Sequence, residues 1–183
     1  MIRSFIAVEI PATVRRSITR LIRDTIGFGY PVRWTKEDNL HLTLKFLGDI
    51  TETQVGEISS ALSILADATP RFPFSLKGLG GFPSSRAARI VWVGAETGRE
   101  NVTTLQRSLE TELSPLGFKP ESREFSPHLT IGRIRSPLDV IAIAATPFES
   151  EVFDIKSLVL FKSTLYPAGP IYDSLGEFLL AGG

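Results

Sequence analysis

The chain has 183 residues, 43% of them hydrophobic, and its 20 basic and 20 acidic side chains give a formal net charge of zero at pH 7. A chain of this length can bury a packed core, as one domain or as two small lobes. The absence of cysteine excludes disulfides, thiolate metal sites and cysteine nucleophiles. Zero net charge argues against a protein that coats nucleic acid. With no membrane-length apolar run and no signal-peptide pattern, we expect a cytoplasmic protein.

The first 70 residues or so predict a strand followed by a helix, and then a second strand followed by a second helix. Residues 2–10 are mostly apolar and predict a buried strand, and apolar residues at helical spacing after Pro11 predict an amphipathic helix that ends before Gly27. The basic residues of this helix lie mostly off the apolar stripe, which indicates a solvated face. Residues 40–47 alternate as a strand that Gly48 ends. Thr51-Glu52-Thr53-Gln54 then fits a capping box that opens a second helix.

The middle of the chain predicts two further strands and a third helix. Residues 71–77 and 90–93 are typical of buried strands. The glycine-rich stretch from Gly78 to Ser85 is expected to be flexible and could flank a cleft, but it lacks a phosphate-loop signature. Thr97-Gly98-Arg99-Glu100 fits a second capping box, and the helix after it has apolar residues at helical spacing.

The last part of the chain predicts mostly strands. A strand begins at His128, a short helix-like stretch covers residues 138–145, and residues 152–154, 158–165 and 171–180 form closing strands with a turn at 166–170. Strands and helices alternate irregularly, and one motif occurs in both halves. The pattern therefore indicates an α+β fold of two similar halves.

The repeated motif contains the only two histidines of the chain. His41 and His128 are each followed two residues later by a threonine, Thr43 and Thr130. Because successive side chains of a strand face opposite sides, each histidine shares a face with its threonine. The same alternation puts Lys45 on the histidine face and Phe46 in the core. Imidazole exchanges a proton near neutral pH, so two facing histidines can form an acid and a base.

Other interpretations of the histidines are less favoured. A single histidine on a strand is more often a structural residue, but the duplication reverses this preference. Two histidines without a nearby aspartate, glutamate or cysteine in ligand spacing make a weak metal site, so neither a metal nor another cofactor is expected. The threonine hydroxyls can donate hydrogen bonds to the oxygens of a phosphoryl group, which is often the largest catalytic contribution.

The two H-x-T-x motifs, 87 positions apart, make the sequence similar to the two-histidine phosphoesterases. The closer similarity is to the RNA 2′,3′-cyclic phosphodiesterases, also called LigT-like proteins or 2′-5′ RNA ligases. This similarity extends over nearly the whole chain. Further stretches that carry it are Arg3–Val8, Val32–Trp34, Asn39–Leu40, Gly80–Pro83, Phe125–Pro127 and Leu158–Ser163.

The resemblance implies one two-lobed domain over residues 1–183, an α+β fold with pseudo-twofold symmetry, in which two antiparallel sheets form a concave cleft with helices outside. It implies hydrolysis of RNA 2′,3′-cyclic phosphate ends to 2′-phosphomonoesters without a metal. We expect a monomer that binds RNA ends or short oligonucleotides. His41 would donate a proton to the leaving 3′ oxygen, and His128 would accept one from water. Arg133 would help to hold the nucleotide. Strict alternation places Arg133 on the core side, so this role requires a bulge at Gly132 or the end of the strand there.

The residues alone leave several points open. They do not distinguish the acid from the base, because the two motifs are nearly symmetric. Ligation of RNA ends by the reverse chemistry and a non-catalytic RNA-end binding module are alternatives, although intact motifs in both halves argue against the second. Phe5, Trp34 and Trp92 could stack on a base, but we expect all three in the core.

Overall fold

The computed structural model describes residues 1–182, which form ten β-strands and four α-helices. The strands are β1 (Ile2–Glu9), β2 (Val32–Trp34), β3 (His41–Ile50), β4 (Phe72–Phe74), β5 (Leu76–Phe82), β6 (Ala88–Ala95), β7 (His128–Leu138), β8 (Phe153–Ile155), β9 (Ser157–Tyr166) and β10 (Gly169–Leu179). The helices are α1 (Ala12–Ile26), α2 (Glu52–Asp67), α3 (Arg99–Leu113) and α4 (Ile141–Ala144). None of the helices among residues 1–182 is long and apolar enough to span a membrane.

Two four-stranded antiparallel sheets organise the molecule. The first sheet has the order β10-β9-β1-β3 and the second has the order β2-β7-β6-β5, while β4 and β8 form a small ribbon. The two histidine motifs lie on β3 and β7, so each sheet carries one motif. The predicted α+β fold with two lobes and two antiparallel sheets is confirmed.

The helices cover the sheets through the apolar faces that the sequence predicts. The buried residues of α1 and α3 recur at helical spacing, and they include Val14, Ile18, Val102, Leu105 and Leu109. The capping box of α2 is confirmed, because the Gln54 amide N–H donates to the Thr51 hydroxyl at 3.2 Å and the Thr51 amide N–H donates to the Gln54 side chain at 3.0 Å.

The predicted capping box of α3 is wrong. The residue before the helix is Gly98, which has a left-handed φ of +73° and no side-chain cap. A Cβ at this position would overlap the carbonyl oxygen of Pro73. Close backbone packing against β4, rather than a threonine hydroxyl, therefore determines how this helix begins.

The prediction of a flexible segment from Gly78 to Ser85 is also wrong over most of its length. Residues from Gly78 to Phe82 belong to β5, and Gly80 and Gly81 are buried. A Cβ on Gly80 would overlap the indole ring of Trp92, which lies across the glycine from β6. The glycines therefore mark a close approach between neighbouring strands, not a mobile loop.

Both motif strands contain a β-bulge at the same motif position. On β3, Thr43 pairs with Ala7 and Lys45 pairs with Ile6, so Leu44 has no partner on β1. On β7, Thr130 pairs with Trp92 and Gly132 pairs with Val91, so Ile131 has no partner on β6. In both copies the bulge is the residue directly after the threonine, and it reverses the alternation of faces beyond it.

The bulge in β3 corrects the predicted positions of Lys45 and Phe46. Lys45 is only 3% exposed and faces the core, whereas Phe46 is 60% exposed and lies on the face of His41 and Thr43. The strand also continues through Gly48 to Ile50 instead of ending at the glycine. The prediction assigned these two side chains to the wrong faces because it assumed a regular strand without a bulge.

Candidate active site

Each histidine is held by a carbonyl group two residues before it. The Nδ1 atom of His41 lies 2.8 Å from the carbonyl oxygen of Asn39, and the Nδ1 atom of His128 lies 2.6 Å from that of Ser126. Because a carbonyl oxygen only accepts hydrogen bonds, each Nδ1 carries the hydrogen of this bond. In the neutral ring, Nε2 is then the unprotonated nitrogen that can act as a base.

Aromatic rings enclose His41. The ring of Phe5 stacks on it with centroids 4.8 Å apart, and the ring of Tyr172 meets it edge-on at 5.2 Å. Burial lowers the pKa of His41 from 6.5 to about 4, the hydrogen bond to Asn39 partly opposes this shift, and the charge of Arg133 adds to it. In the free protein this imidazole is therefore neutral at pH 7.

His128 has a similar environment on the second sheet. Phe82 meets its ring edge-on with centroids 4.9 Å apart, and Trp92 lies at 6.5 Å. Burial lowers the pKa of His128, the hydrogen bond to Ser126 opposes the shift, and Arg133 again contributes a lowering charge. Arg133 is thus a charged neighbour of both imidazoles, so the two motifs lie at one site.

The two threonines lie on the same faces as their histidines. Thr43 pairs with Ala7 and Thr130 pairs with Trp92, each two residues beyond the histidine of its motif. Both threonines are half-buried. Within residues 1–182 neither hydroxyl has a hydrogen-bond partner in the protein, so both can donate to a molecule in the cleft.

Arg133 reaches the cleft face because of the bulge. It pairs with Ile90, two residues before Trp92 on β6, so its side chain lies on the face of Thr130 and His128. The expected bulge lies at Ile131, one residue before Gly132. A Cβ on Gly132 would overlap the Val32 side chain. The sequence predicted either a bulge at Gly132 or the end of the strand there, whereas the strand continues past the glycine and the bulge lies one residue earlier.

Several residues around the histidines were missed by the sequence analysis. Tyr172, Phe161 and Phe82 surround the imidazoles, but they lie on β10, β9 and β5, far from the motifs in sequence. Burial raises the pKa of Tyr172, and the charges of Arg133 and then Arg3 oppose this shift. No local pattern identifies such contacts, because strand pairing alone creates them.

The three aromatic residues expected in the core have different environments. Phe5 is 3% exposed and packs against His41. Trp34 and Trp92 are half-buried, and Trp92 lies beside His128.

Within residues 1–182 no group of three or more His, Cys, Asp or Glu side chains is arranged to hold a metal ion.

Two sheets that each present a histidine and a threonine to one cleft define a two-histidine phosphoesterase. The family model for LigT like phosphoesterase matches residues 8–92 and again residues 93–172, so each match contains one motif. The RNA 2′,3′-cyclic phosphodiesterase of Methanothermobacter thermautotrophicus is 36% identical over 185 residues, with 98% of this chain and 99% of the relative covered. This chain belongs to the LigT like phosphoesterase family and is an enzyme.

Solved structures agree with this family and its fold. A crystal structure of a Thermus thermophilus protein matches with a TM-score of 0.85 at 26% identity and covers 98% of both chains. The structure of Escherichia coli LigT in complex with 3′-AMP matches with a TM-score of 0.74 at 27% identity, again over 98% of both chains.

Proposed function

We propose that this protein hydrolyses RNA 2′,3′-cyclic phosphate ends to 2′-phosphomonoesters by metal-free acid and base catalysis. The observation that carries the proposal is the matched state of the two histidines. Each has Nδ1 bonded to a backbone carbonyl and Nε2 free, and the two rings sit on different sheets around one arginine. The names of relatives such as the Methanothermobacter enzyme support this choice of substrate.

The chemistry requires two proton transfers on opposite sides of one phosphorus atom. Water attacks phosphorus in line with the bond to the ribose 3′ oxygen, and that bond breaks as the 3′ oxygen takes a proton. In the proposal His128 accepts the proton of the attacking water and His41 donates to the leaving oxygen. Thr43, Thr130 and Arg133 stabilise the charge on the other phosphoryl oxygens.

The proposal further takes residues 1–183 as one catalytic domain that acts as a monomer on RNA ends or short oligonucleotides. Ligation of 2′-5′ ends would use the same histidines in reverse and stays an alternative. A non-catalytic RNA-end binding module is the other alternative, and it gives no reason for two matched histidines.

A single assay tests the proposal. Purified protein with EDTA is incubated with an oligonucleotide that carries a 2′,3′-cyclic phosphate, and the position of the remaining phosphate is mapped. We expect a 2′-phosphate end, and a rate at least about 10² to 10⁴-fold lower in the His41→Ala/His128→Ala double variant. Tight binding without turnover would support the binding module instead, and loss of activity with EDTA would overturn the metal-free mechanism.

A further inference from the structure

Two arginines lie directly opposite each other on β2 and β7. Arg33 pairs with Arg133 in the antiparallel register, and both side chains are exposed. Directly paired residues project from the same face of a sheet, so Arg33 shares the cleft face of Arg133. Like charges in this position destabilise a strand pair. The free protein therefore carries two positive charges at paired positions of two neighbouring strands.

In the described part of the chain no acidic side chain forms an ion pair with either arginine. Within residues 1–182 the ion pairs closer than 4.0 Å are Lys45–Glu110 and Lys77–Glu149, and neither includes Arg33 or Arg133. A bound anion would offset the repulsion between the two guanidinium groups. The two arginines therefore favour the binding of a negatively charged ligand on this face of the sheet.

The two arginines occupy different parts of the cleft. Arg133 lies close enough to both histidines and to Tyr172 for its charge to affect their pKa values. The guanidinium of Arg33 instead lies against the turn between β9 and β10. Its Nη2 atom is 3.3 Å from the point that a Cβ of Gly169 would occupy.

The turn beside Arg33 is connected to the first histidine. The side-chain amide of Asn39 donates to the carbonyl oxygen of Pro170 at 2.9 Å, and the carbonyl oxygen of Asn39 accepts from Nδ1 of His41. One residue therefore fixes both the turn and the imidazole. Arg33 lies at a defined position at the edge of the site, not at its centre.

We propose that Arg33 binds a second phosphate, the phosphodiester that precedes the terminal cyclic phosphate. Arg133 then serves the reacting phosphate and Arg33 serves its neighbour on the 5′ side. This inference rests on the proposed phosphodiesterase function and narrows its substrate class. The enzyme prefers an oligonucleotide end with at least two phosphates over a cyclic mononucleotide.

The test compares two substrates that differ by one phosphate, a 2′,3′-cyclic mononucleotide and a dinucleotide with a 2′,3′-cyclic end. Arg33→Gln should lower kcat/KM for the dinucleotide by roughly tenfold to a hundredfold, the loss of one hydrogen bond to a charged group. For the mononucleotide the change should stay within about twofold of the wild type. Arg133→Gln should lower both values. Arg16→Gln, at an exposed arginine of α1, is the matched control and should change neither.

Salt dependence gives a second measurement. The logarithm of kcat/KM for the dinucleotide should fall less steeply with the logarithm of salt concentration in Arg33→Gln, by about 0.7 for one lost single-strand phosphate contact. Equal losses on both substrates, or no loss on either, would overturn the role of Arg33 and leave the phosphodiesterase intact.

Binding separates this inference from the proposed function. Calorimetric affinities are measured for a 3′-phosphorylated dinucleotide and a 3′-mononucleotide, which need no turnover. Arg33→Gln should weaken the dinucleotide selectively. If wild type hydrolyses neither cyclic substrate, the proposed activity fails. The Arg33 inference itself fails if the variant binds both ligands as tightly as the wild type does.

Discussion

The two histidines are held in the neutral form by their surroundings. Burial lowers the pKa of both rings, to about 4 for His41, and Arg133 lowers them further. A proton donor must nevertheless be protonated when the leaving oxygen departs. The anionic phosphate of a bound substrate favours the imidazolium and raises the pKa of both rings. In the proposed mechanism the bound substrate therefore helps to protonate the histidine that donates to its leaving oxygen.

The first prediction is the pH dependence of activity. The pH profile of kcat/KM reports the pKa values of the free enzyme, and the singly protonated pair is most abundant between two values that both lie below 6.5. We expect a bell-shaped profile with its optimum below pH 6.5, and a kcat profile displaced to higher pH. Arg133→Gln should move the optimum upward. Steady-state kinetics from pH 4 to 9 measures this, and a kcat/KM optimum above pH 7 would contradict it.

The second prediction concerns the threonine hydroxyls. Thr43→Val and Thr130→Val keep the side-chain shape and remove one hydrogen bond to the phosphoryl group. Each variant should lose roughly 1.5 to 3 kcal/mol of transition-state binding, the range for a hydrogen bond to a charged partner. Steady-state kcat/KM measures the loss, and the pH optimum should barely move. Full activity in both variants would mean that the hydroxyls do not contact the substrate.

The sequence revealed the histidines and threonines because short-range order along a strand determines which side chains share a face. It did not reveal Phe5, Tyr172 or Phe82 as neighbours of the imidazoles. Those contacts depend on which strands pair and in which register, and only the complete sheets define them. The low pKa of His41 was unpredictable for the same reason.

At the scale of single elements, the paired bulges shape the site. A period of two predicts faces correctly through Leu44 and Ile131 and incorrectly beyond them, because these two residues have no partner on β1 and β6. The helices followed their apolar periodicity and were predicted well. The start of α3 and the glycines of β5 were not, since both depend on close contacts with other strands.

The third prediction concerns the lysine that the first bulge buries. Lys45 Nζ donates to Glu110 Oε2 at 2.5 Å and to the carbonyl oxygen of Lys119 at 3.0 Å, and Gln106 donates to the other Glu110 oxygen at 2.9 Å. Lys45→Met leaves the Glu110 charge without its partner. We expect the free energy of unfolding to fall by about 3 to 5 kcal/mol, measured by urea denaturation.

A second substitution checks the cause of this loss. Lys45→Met/Glu110→Gln removes the unpaired charge and keeps an acceptor for Gln106, so the double variant should be more stable than Lys45→Met alone. The single variant Glu110→Gln is measured as well. If the stability losses of Lys45→Met and Glu110→Gln add up to that of the double variant, the lysine acts through packing and not through the ion pair.

At the scale of the whole molecule, the two halves are similar but not equivalent. Both have a histidine bonded to a carbonyl group two residues earlier, a threonine on the same face and a bulge after it. The fifth residue after the histidine returns to the cleft face in both, yet it is Phe46 in one half and Arg133 in the other. The two halves therefore place different side chains at equivalent positions beside their histidines, which favours different roles for the two rings.

The central claim is that the two histidines act together as one acid and one base, and a double-mutant cycle tests it most directly. Wild type, His41→Ala, His128→Ala and the double variant are compared by kcat on a 2′,3′-cyclic-phosphate-ended oligonucleotide, with folding checked by circular dichroism. We expect each single variant to lose about 10² to 10⁴-fold and the double variant to be little worse than either, since the pair works as a unit. A double loss equal to the product of the single losses would contradict the claim.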